Sequence, residues 1–276
     1  MGSELQLFLF SNVWSFSTAR GKVTSEALTP LSCRQVARVV LVVPCFNEAH
    51  RLDVDAFRNF RLDTDTIEFV FVNDGSTDGT QQILESLPGT VVQLERNSGK
   101  AEAVRRGILA ALDRSPDLVG FWDADLATPL SELAGFLKIM KSRPEIDMVF
   151  GARVRLLGRD ISRRASRHYF GRVGATLISS SLGLAVYDTQ CGAKLFRATD
   201  TLRDVFATPF LSRWIFDVEI IARFVQRWGR DHVAHALYEY PVTQWHDVKG
   251  SKVKSRDFVR ALSDLWRIHR AYNARR

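Results

Sequence analysis

The chain has 276 residues, 46% hydrophobic and 25% charged, enough to bury a substantial core and too apolar for wholesale disorder. Its three cysteines, Cys33, Cys45 and Cys191, are odd in number and widely spread, which argues against a disulfide framework and against structural zinc and makes a reducing compartment the default. A net charge of +7 excludes nothing by itself but points either to an anionic partner (phosphate, nucleic acid or an acidic membrane surface) or to a solvated basic face.

Residues 1–36 hold the apolar stretch "LQLFLFSNVWSF" at 5–16. It is shorter than the ~20 residues a transmembrane helix needs and lacks the basic flank of a signal peptide. It reads as a membrane-dipping or poorly ordered extension. From Arg38 the pattern becomes regular, and a main domain is expected over 37–255. Five β-branched and aromatic runs, at 38–44, 67–73, 90–94, 117–123 and 146–152, predict strands. Helical segments at 99–114 and 129–143 separate some of them; the second places Leu130, Leu133, Leu137 and Met140 on one face. Alternating strands and helices predict an α/β fold with a mostly parallel sheet covered on both sides. Ligands of such sheets bind outside the carboxyl ends of the strands.

Seven arginines against one acid, Asp160, follow the fifth strand over 151–172. The stretch 169–187 reads as a half-buried helix whose serine-rich part suits contact with a lipid tail or with a second copy of the chain. The last segment, 256–276, reads as a basic amphipathic helix with Phe258, Leu262, Leu265, His269 and Tyr272 near one stripe. Such a helix suits a membrane surface or packing onto the sheet.

The strand ends carry the chemistry. They read Pro44-Cys45-Phe46-Asn47-Glu48, then Asn73 to Gly79, then Asn97-Ser98-Gly99-Lys100, then Asp123-Ala124-Asp125. "VNDGSTDGT" is either a capped turn or a nucleoside site in which Asp74 accepts hydrogen bonds from a base or ribose. Lys100 would open a helix, where a cation is disfavoured by the macrodipole unless it faces an anion. Asp123 and Asp125 point to one side of an extended segment. They are either a site for Mg²⁺ or Mn²⁺, which take carboxylate, water and phosphate oxygens, or a helix cap and a solvated acid. Walker, GxGxxG, GxSxG and HExxH patterns are absent. No recognition helix, zinc motif or aromatic-basic platform supports nucleic acid.

"VVPCFNEAHRL", "VFVNDGSTDGT", "GKAEAVRRGI", "FWDADLATP" and "DTQCGAKLFRA" together resemble the inverting nucleotide-sugar glycosyltransferases of family 2, with the GT-A fold. The likeness is greatest to the dolichyl- or polyprenyl-phosphate glucosyltransferase branch, also through "RWIFDVE" and "GSK", and runs from about Arg38 to Tyr272. The resemblance implies that Pro44, Asn47, Glu48 and Asp74 line the nucleoside pocket, with Lys100, Asp123 and Lys252 also on the nucleotide sugar. It places Asp125, beside Asp123, on the metal. In related mannose synthases a Gln two residues after the second aspartate touches the metal. Ala127 stands there in this chain, and Gln190 or His246 would have to fill the gap.

A lipid monophosphate acceptor is largely dianionic at neutral pH and needs positioning and charge screening rather than a base. Arg153, Arg163, Arg164, Arg167, Lys194 and Arg213 are the candidates for that task, with Arg163 and Arg167 nearest the chemistry. A sugar hydroxyl acceptor would instead need a general base, for which Asp217 and Glu219 are the candidates; the alternatives for this pair are orienting the acceptor and the arginines, or salt bridges to nearby arginines. The expected activity is transfer of glucose from UDP-glucose to polyprenyl or dolichyl phosphate, at the cytoplasmic face of a membrane and with the enzyme held peripherally. Alternatives are a soluble glycosyltransferase acting on a hydroxyl, mannosyl transfer from GDP-mannose, and a non-catalytic binder of anionic surfaces.

Overall fold

The computed structural model describes residues 36–162, 165–246 and 255–272, except for the side chains of 162–173 and 255–259. The five apolar runs become strands within two residues of the expected bounds: β1 (Arg38–Cys45), β2 (Thr66–Asn73), β3 (Thr90–Gln93), β4 (Leu118–Trp122) and β5 (Met148–Ala152). Among the intervening segments, α1 (Val54–Asn59) and α2 (Thr80–Glu85) are short, whereas α3 (Lys100–Leu112) and α4 (Leu133–Ser142) match the expected helices. A 3₁₀ turn, Leu130–Glu132, precedes α4, and Leu130, Leu133, Leu137 and Met140 are all buried.

The sheet has seven strands in the order β3-β2-β1-β4-β7-β5-β8, where β7 is Ala193–Arg197 and β8 is Leu237–Pro241. β7 runs antiparallel to both of its neighbours, and every other pairing is parallel. Two antiparallel pairings in succession leave β5 pointing the same way as β4. Their carboxyl ends therefore share one edge. β6 (Asp160–Ser162) and β9 (Gln244–His246) form a separate parallel ribbon.

Period-two alternation divides the core. Val39, Leu41 and Val43 face a cluster with Phe57, Trp122 and Phe136, while Val40 and Val42 face one with Val104 and Ile108. The second cluster is closed by α6 (Asp200–Ala207) and α7 (Phe216–Trp228), with α5 (Ala165–Leu182) and α8 (Arg230–Ala236) beside them. The last helix, α9 (Ser255–Tyr272), also buries Leu265 and Ile268 there, with Ala261 and Tyr272 packed against them. The expected stripe is thus rotated: Leu262 and Trp266 are 40% and 60% exposed, and His269 is exposed too. α9 carries apolar residues on more than one face, and the inward set is the one that fits α7. Among the described residues no helix is long and apolar enough to cross a membrane.

Candidate active site

From β1 the chain passes to β2 and β3 on one side, and later to β4 on the other, so the topology switches between β1 and β4. A crevice opens at such a point. Asn47 and Glu48 lie just past β1, Asp74 just past β2, Lys100 at the start of α3, and Asp123 and Asp125 just past β4.

The segment after β4 is a constrained turn. Leu126 N–H donates to Asp123 O at 3.1 Å, Ala127 N–H donates to Asp125 Oδ1 at 3.1 Å, and Trp122 Nε1 donates to Thr128 O at 2.7 Å. Leu126 adopts a φ of 49°, a left-handed conformation that costs a branched residue roughly 1–3 kcal/mol. Asn47, at φ 54°, is a second such residue on the same edge. Asp123 N–H is fixed by Gly192 O at 2.9 Å, and a Cβ at Gly192 would overlap the Asp123 carboxylate. Only glycine lets the approach to β7 pass under that acid.

Lys100 Nζ lies 2.5 Å from Asp123 Oδ1. Burial opposes the Lys100 ammonium, but Asp123, Asp217 and Asp125 outweigh it and hold its pKa above the ordinary value. The Asp125 carboxyl is pushed up, first by burial and then by the charge of Asp123, against the Ala127 amide, Lys100 and Arg51. Two crowded carboxylates, one already bearing an ammonium, form a donor set that fits a hard divalent cation completed by water and phosphate oxygens. When bound, Mg²⁺ or Mn²⁺ would supply charge neutralisation at a departing diphosphate. Among the described residues no third His, Cys, Asp or Glu joins the pair. Of the two expected substitutes, the His246 ring lies 3.8 Å from Asp160, and Gln190 Nε2 donates to Thr189 Oγ1 at 3.4 Å.

The nucleoside end is a stitched rim. Asp74 is buried, and its two oxygens accept from Ser98 N–H at 2.7 Å and Gly99 N–H at 2.8 Å, setting the loop that leads into Lys100. Any contact with a base or ribose would use the lone pairs those amides leave. Asn47 N–H donates to Ser76 Oγ at 3.0 Å, and its Oδ1 accepts from Thr77 N–H at 2.9 Å. Glu48 N–H donates to Thr80 Oγ1 at 2.8 Å, and its Oε1 accepts from Arg51 Nη2 at 2.5 Å. Pro44 sits opposite Val72 at the end of the β1–β2 ladder.

Four expected site residues are placed otherwise. Lys194 is fully buried, with Nζ 2.6 Å from both Asp217 Oδ1 and Cys191 O and 5.1 Å above the Phe121 ring, so it is withdrawn from any acceptor. Asp217 is correspondingly neutralised by Lys194. Glu219 is fully buried and accepts from Arg223 Nη2 at 2.7 Å, Tyr272 Oη at 2.8 Å and Leu211 N–H at 2.7 Å. It ties α7 to α9 and cannot serve as a base. Arg153 is bidentate to Asp188 through Nε and Nη2, at 2.6 and 2.7 Å, and stacks 5.3 Å from Trp245, which commits that edge of its guanidinium to Asp188.

Arg213 remains at the mouth. It is exposed, donates to Asn97 Oδ1 at 3.2 Å, and lies against Gly99. Arg163, Arg164 and Lys252 lie outside the described residues, as does the side chain of Arg167, whose backbone belongs to α5.

Sequence reasoning passed over Asp188, Gly192, Glu132 and Trp245. The first two stand inside "DTQCGAKLF", so membership of that motif was the available signal. Buried Glu132 fixes the β8–β9 turn by accepting from Thr243 N–H at 2.9 Å, Gln244 N–H at 3.0 Å and the Thr243 hydroxyl. No sequence pattern announces it.

Residues 40–202 match the model of glycosyl transferase family 2. The chain belongs to this family. The glycosyltransferase is 30% identical over 244 residues to a dolichyl-phosphate beta-glucosyltransferase of Trichomonas vaginalis, covering 82% of this chain and 69% of that protein. To the dolichyl-phosphate beta-glucosyltransferase of Saccharomyces cerevisiae it is 28% identical over 283 residues, covering 92% and 81%. Solved structures share the fold. The glucosyl-3-phosphoglycerate synthase of Mycobacterium tuberculosis, in complex with Mn²⁺, UDP-glucose and phosphoglyceric acid, superposes with a TM-score of 0.62 at 20% identity over 84% of this chain and 80% of that one. The mannosyl-3-phosphoglycerate synthase of Rubrobacter xylanophilus does so at 0.63 and 19%, over 85% and 73%. The GT-A expectation and the expectation of a glycosyltransferase are both borne out.

Proposed function

We propose that this glycosyltransferase transfers glucose from UDP-glucose to a dolichyl or polyprenyl phosphate, with inversion and with a divalent cation held by Asp123 and Asp125. The observation that carries the reading is the cluster of Asp123, Asp125 and Lys100 at the switch point, in a chain whose relatives are dolichyl-phosphate beta-glucosyltransferases. The chain's own groups have distinct jobs. Asp74 holds the loop that aims Lys100 at the crevice, the Gly192 carbonyl and Trp122 hold the aspartate turn, and Arg213 offers a fork to phosphate at the mouth. Inversion follows from direct attack by the acceptor on the face of the sugar opposite the departing diphosphate.

A phosphate acceptor arrives as its own nucleophile, and the protein must supply orientation and positive charge. That suits a site in which both candidate bases, Asp217 and Glu219, are consumed by ion pairs. A hydroxyl acceptor would need a base that neither can provide. We place the enzyme at the cytoplasmic face of a membrane, bound peripherally. Incubation with radiolabelled UDP-glucose, dolichyl phosphate and Mn²⁺ should give an organic-extractable product that is a β-glucoside. Label staying in the aqueous phase with every lipid acceptor, but passing to a small hydroxyl compound, would overturn the reading.

A further inference from the structure

The loop after β5 carries two leucines in solvent: Leu156 is 51% exposed and Leu157 fully exposed. Isolated exposed leucines are ordinary, but these are adjacent and sit at the tip of a built turn. Arg159 N–H donates to Leu156 O at 3.2 Å, closing residues 156–159. Gly158 takes a φ of +78°, the conformation that the third position of a type II turn reserves for glycine. A Cβ on Gly158 would meet no atom within 4 Å, so the tip stands clear of the body.

The base of the loop is firm. Arg153 N–H and guanidinium are both held by Asp188, and Asp160 N–H donates to Thr243 O at 2.9 Å as β6 joins β9. Asp188 is itself oriented by Glu239, which accepts its N–H at 2.8 Å. A rigid stem therefore presents an apolar point. Arg155 and Arg159 flank it in sequence, whereas Arg153 at the stem is already paired with Asp188. Because β5 and β4 point the same way, the tip rises from the edge that carries Asp123 and Lys100.

We propose that Leu156 and Leu157 form a wedge that enters the headgroup layer of an anionic lipid bilayer, with the flanking arginines on lipid phosphates, and so sets the active-site mouth at the depth of a lipid-linked acceptor. The apolar tip and basic collar match the two layers of such a surface, apolar chains beneath anionic headgroups. The orienting role rests on the proposed lipid acceptor; the binding surface does not.

The test is sedimentation of the full chain with vesicles of phosphatidylcholine and phosphatidylglycerol that contain no dolichyl phosphate, so that partition is read without any transfer reaction. Leu156→Ser/Leu157→Ser should keep the wild-type melting temperature, since both side chains lie in solvent, and should lose partition by about tenfold or more. Removing phosphatidylglycerol or raising salt should weaken binding of the wild type. Unchanged partition of the double variant would overturn the proposal. So would loss of partition in Trp266→Ser alone, which would move the membrane face to α9, or failure of the wild type to bind either vesicle. Vesicle binding that depends on the leucines, in a protein that glucosylates no lipid, would sink the proposed function and leave this surface standing.

Discussion

Lys194 offers the sharpest test of how the site's charges are used. Its ammonium is fully buried and meets Asp217 at 2.6 Å, while Asp217 is itself 5% exposed. Lys194→Met keeps most of the side chain's volume but leaves the Asp217 carboxylate in the interior without its cation. Breaking one side of a buried pair costs about 3–5 kcal/mol, whereas replacing both partners with apolar groups of similar size is often close to neutral. For a domain of this size each kcal/mol moves the melting temperature by about 2–4 °C, so the single variant should melt roughly 6–20 °C lower. Lys194→Met/Asp217→Val should recover to within about 2 kcal/mol of the wild type. Urea titrations of the four proteins of this cycle measure the coupling directly, provided the m-values agree. The folded double variant should keep its KM for a phosphate acceptor, because the ammonium never faces the crevice. A single variant that loses less than about 1 kcal/mol, or a stable double variant whose acceptor KM rises at least tenfold, would refute the reasoning and return Lys194 to the acceptor.

Three further outcomes are expected. Asp125→Asn should abolish the Mn²⁺-dependent part of nucleotide-sugar affinity in calorimetry without lowering the melting temperature. The Asp125 carboxyl titrates above its ordinary value in the folded chain, so its ionised form is a burden that appears as pH rises through the folded pKa. For the same reason metal affinity of the wild type should begin to fall, on acidification, at a pH above the usual aspartate range, and this shoulder should vanish in Asp125→Asn. Glu219→Gln should cost about 3 kcal/mol of stability but change kcat per folded molecule by no more than about twofold, whereas loss of a true general base would cost about 10²–10⁴. Asp74→Ala should orphan the Ser98 and Gly99 amides, cost about 1–3 kcal/mol, and raise KM for the nucleotide sugar more than it lowers kcat.

Strands β1 to β5 were legible because each is a run rich in β-branched or aromatic residues bounded by turn formers, with β1, β4 and β5 largely buried and the edge strand β3 half-exposed. β7 was not, since "AKLFR" contains a lysine that looks solvated until Asp217 covers it. β6 and β9 have three residues each, too few for any period. The acids and bases of the site were legible as types, but their pairings were not. Arg153 and Asp188 stand 35 residues apart, and nothing local in either says that they meet. Hence the arginine count overstated the charge available to an acceptor. Asp217 and Glu219 stayed ambiguous for a simpler reason: they are two residues apart and share a side on a strand, but not on a helix, and the segment is α7.

The pairings also show why the two aspartates just past β4 suit a cation after so many neighbouring charges have been neutralised. Lys194 is matched to Asp217, and Asp217 also acts on Lys100, which in turn holds Asp123 at 2.5 Å. Along this path three carboxylates (Asp217, Asp123, Asp125) face two ammoniums (Lys194, Lys100), a balance of −1. Asp125 carries the unmatched charge, and its proton affinity is raised first by burial and then by the charge of Asp123. A divalent cation would turn the local balance from −1 to +1, the sign that holds a diphosphate and the leaving charge that develops on it. Ala127, in the position two residues beyond Asp125, leaves that charge balance as a neutral Gln there would leave it. The missing side chain is therefore compatible with the chemistry, with water or substrate oxygens as the remaining ligands.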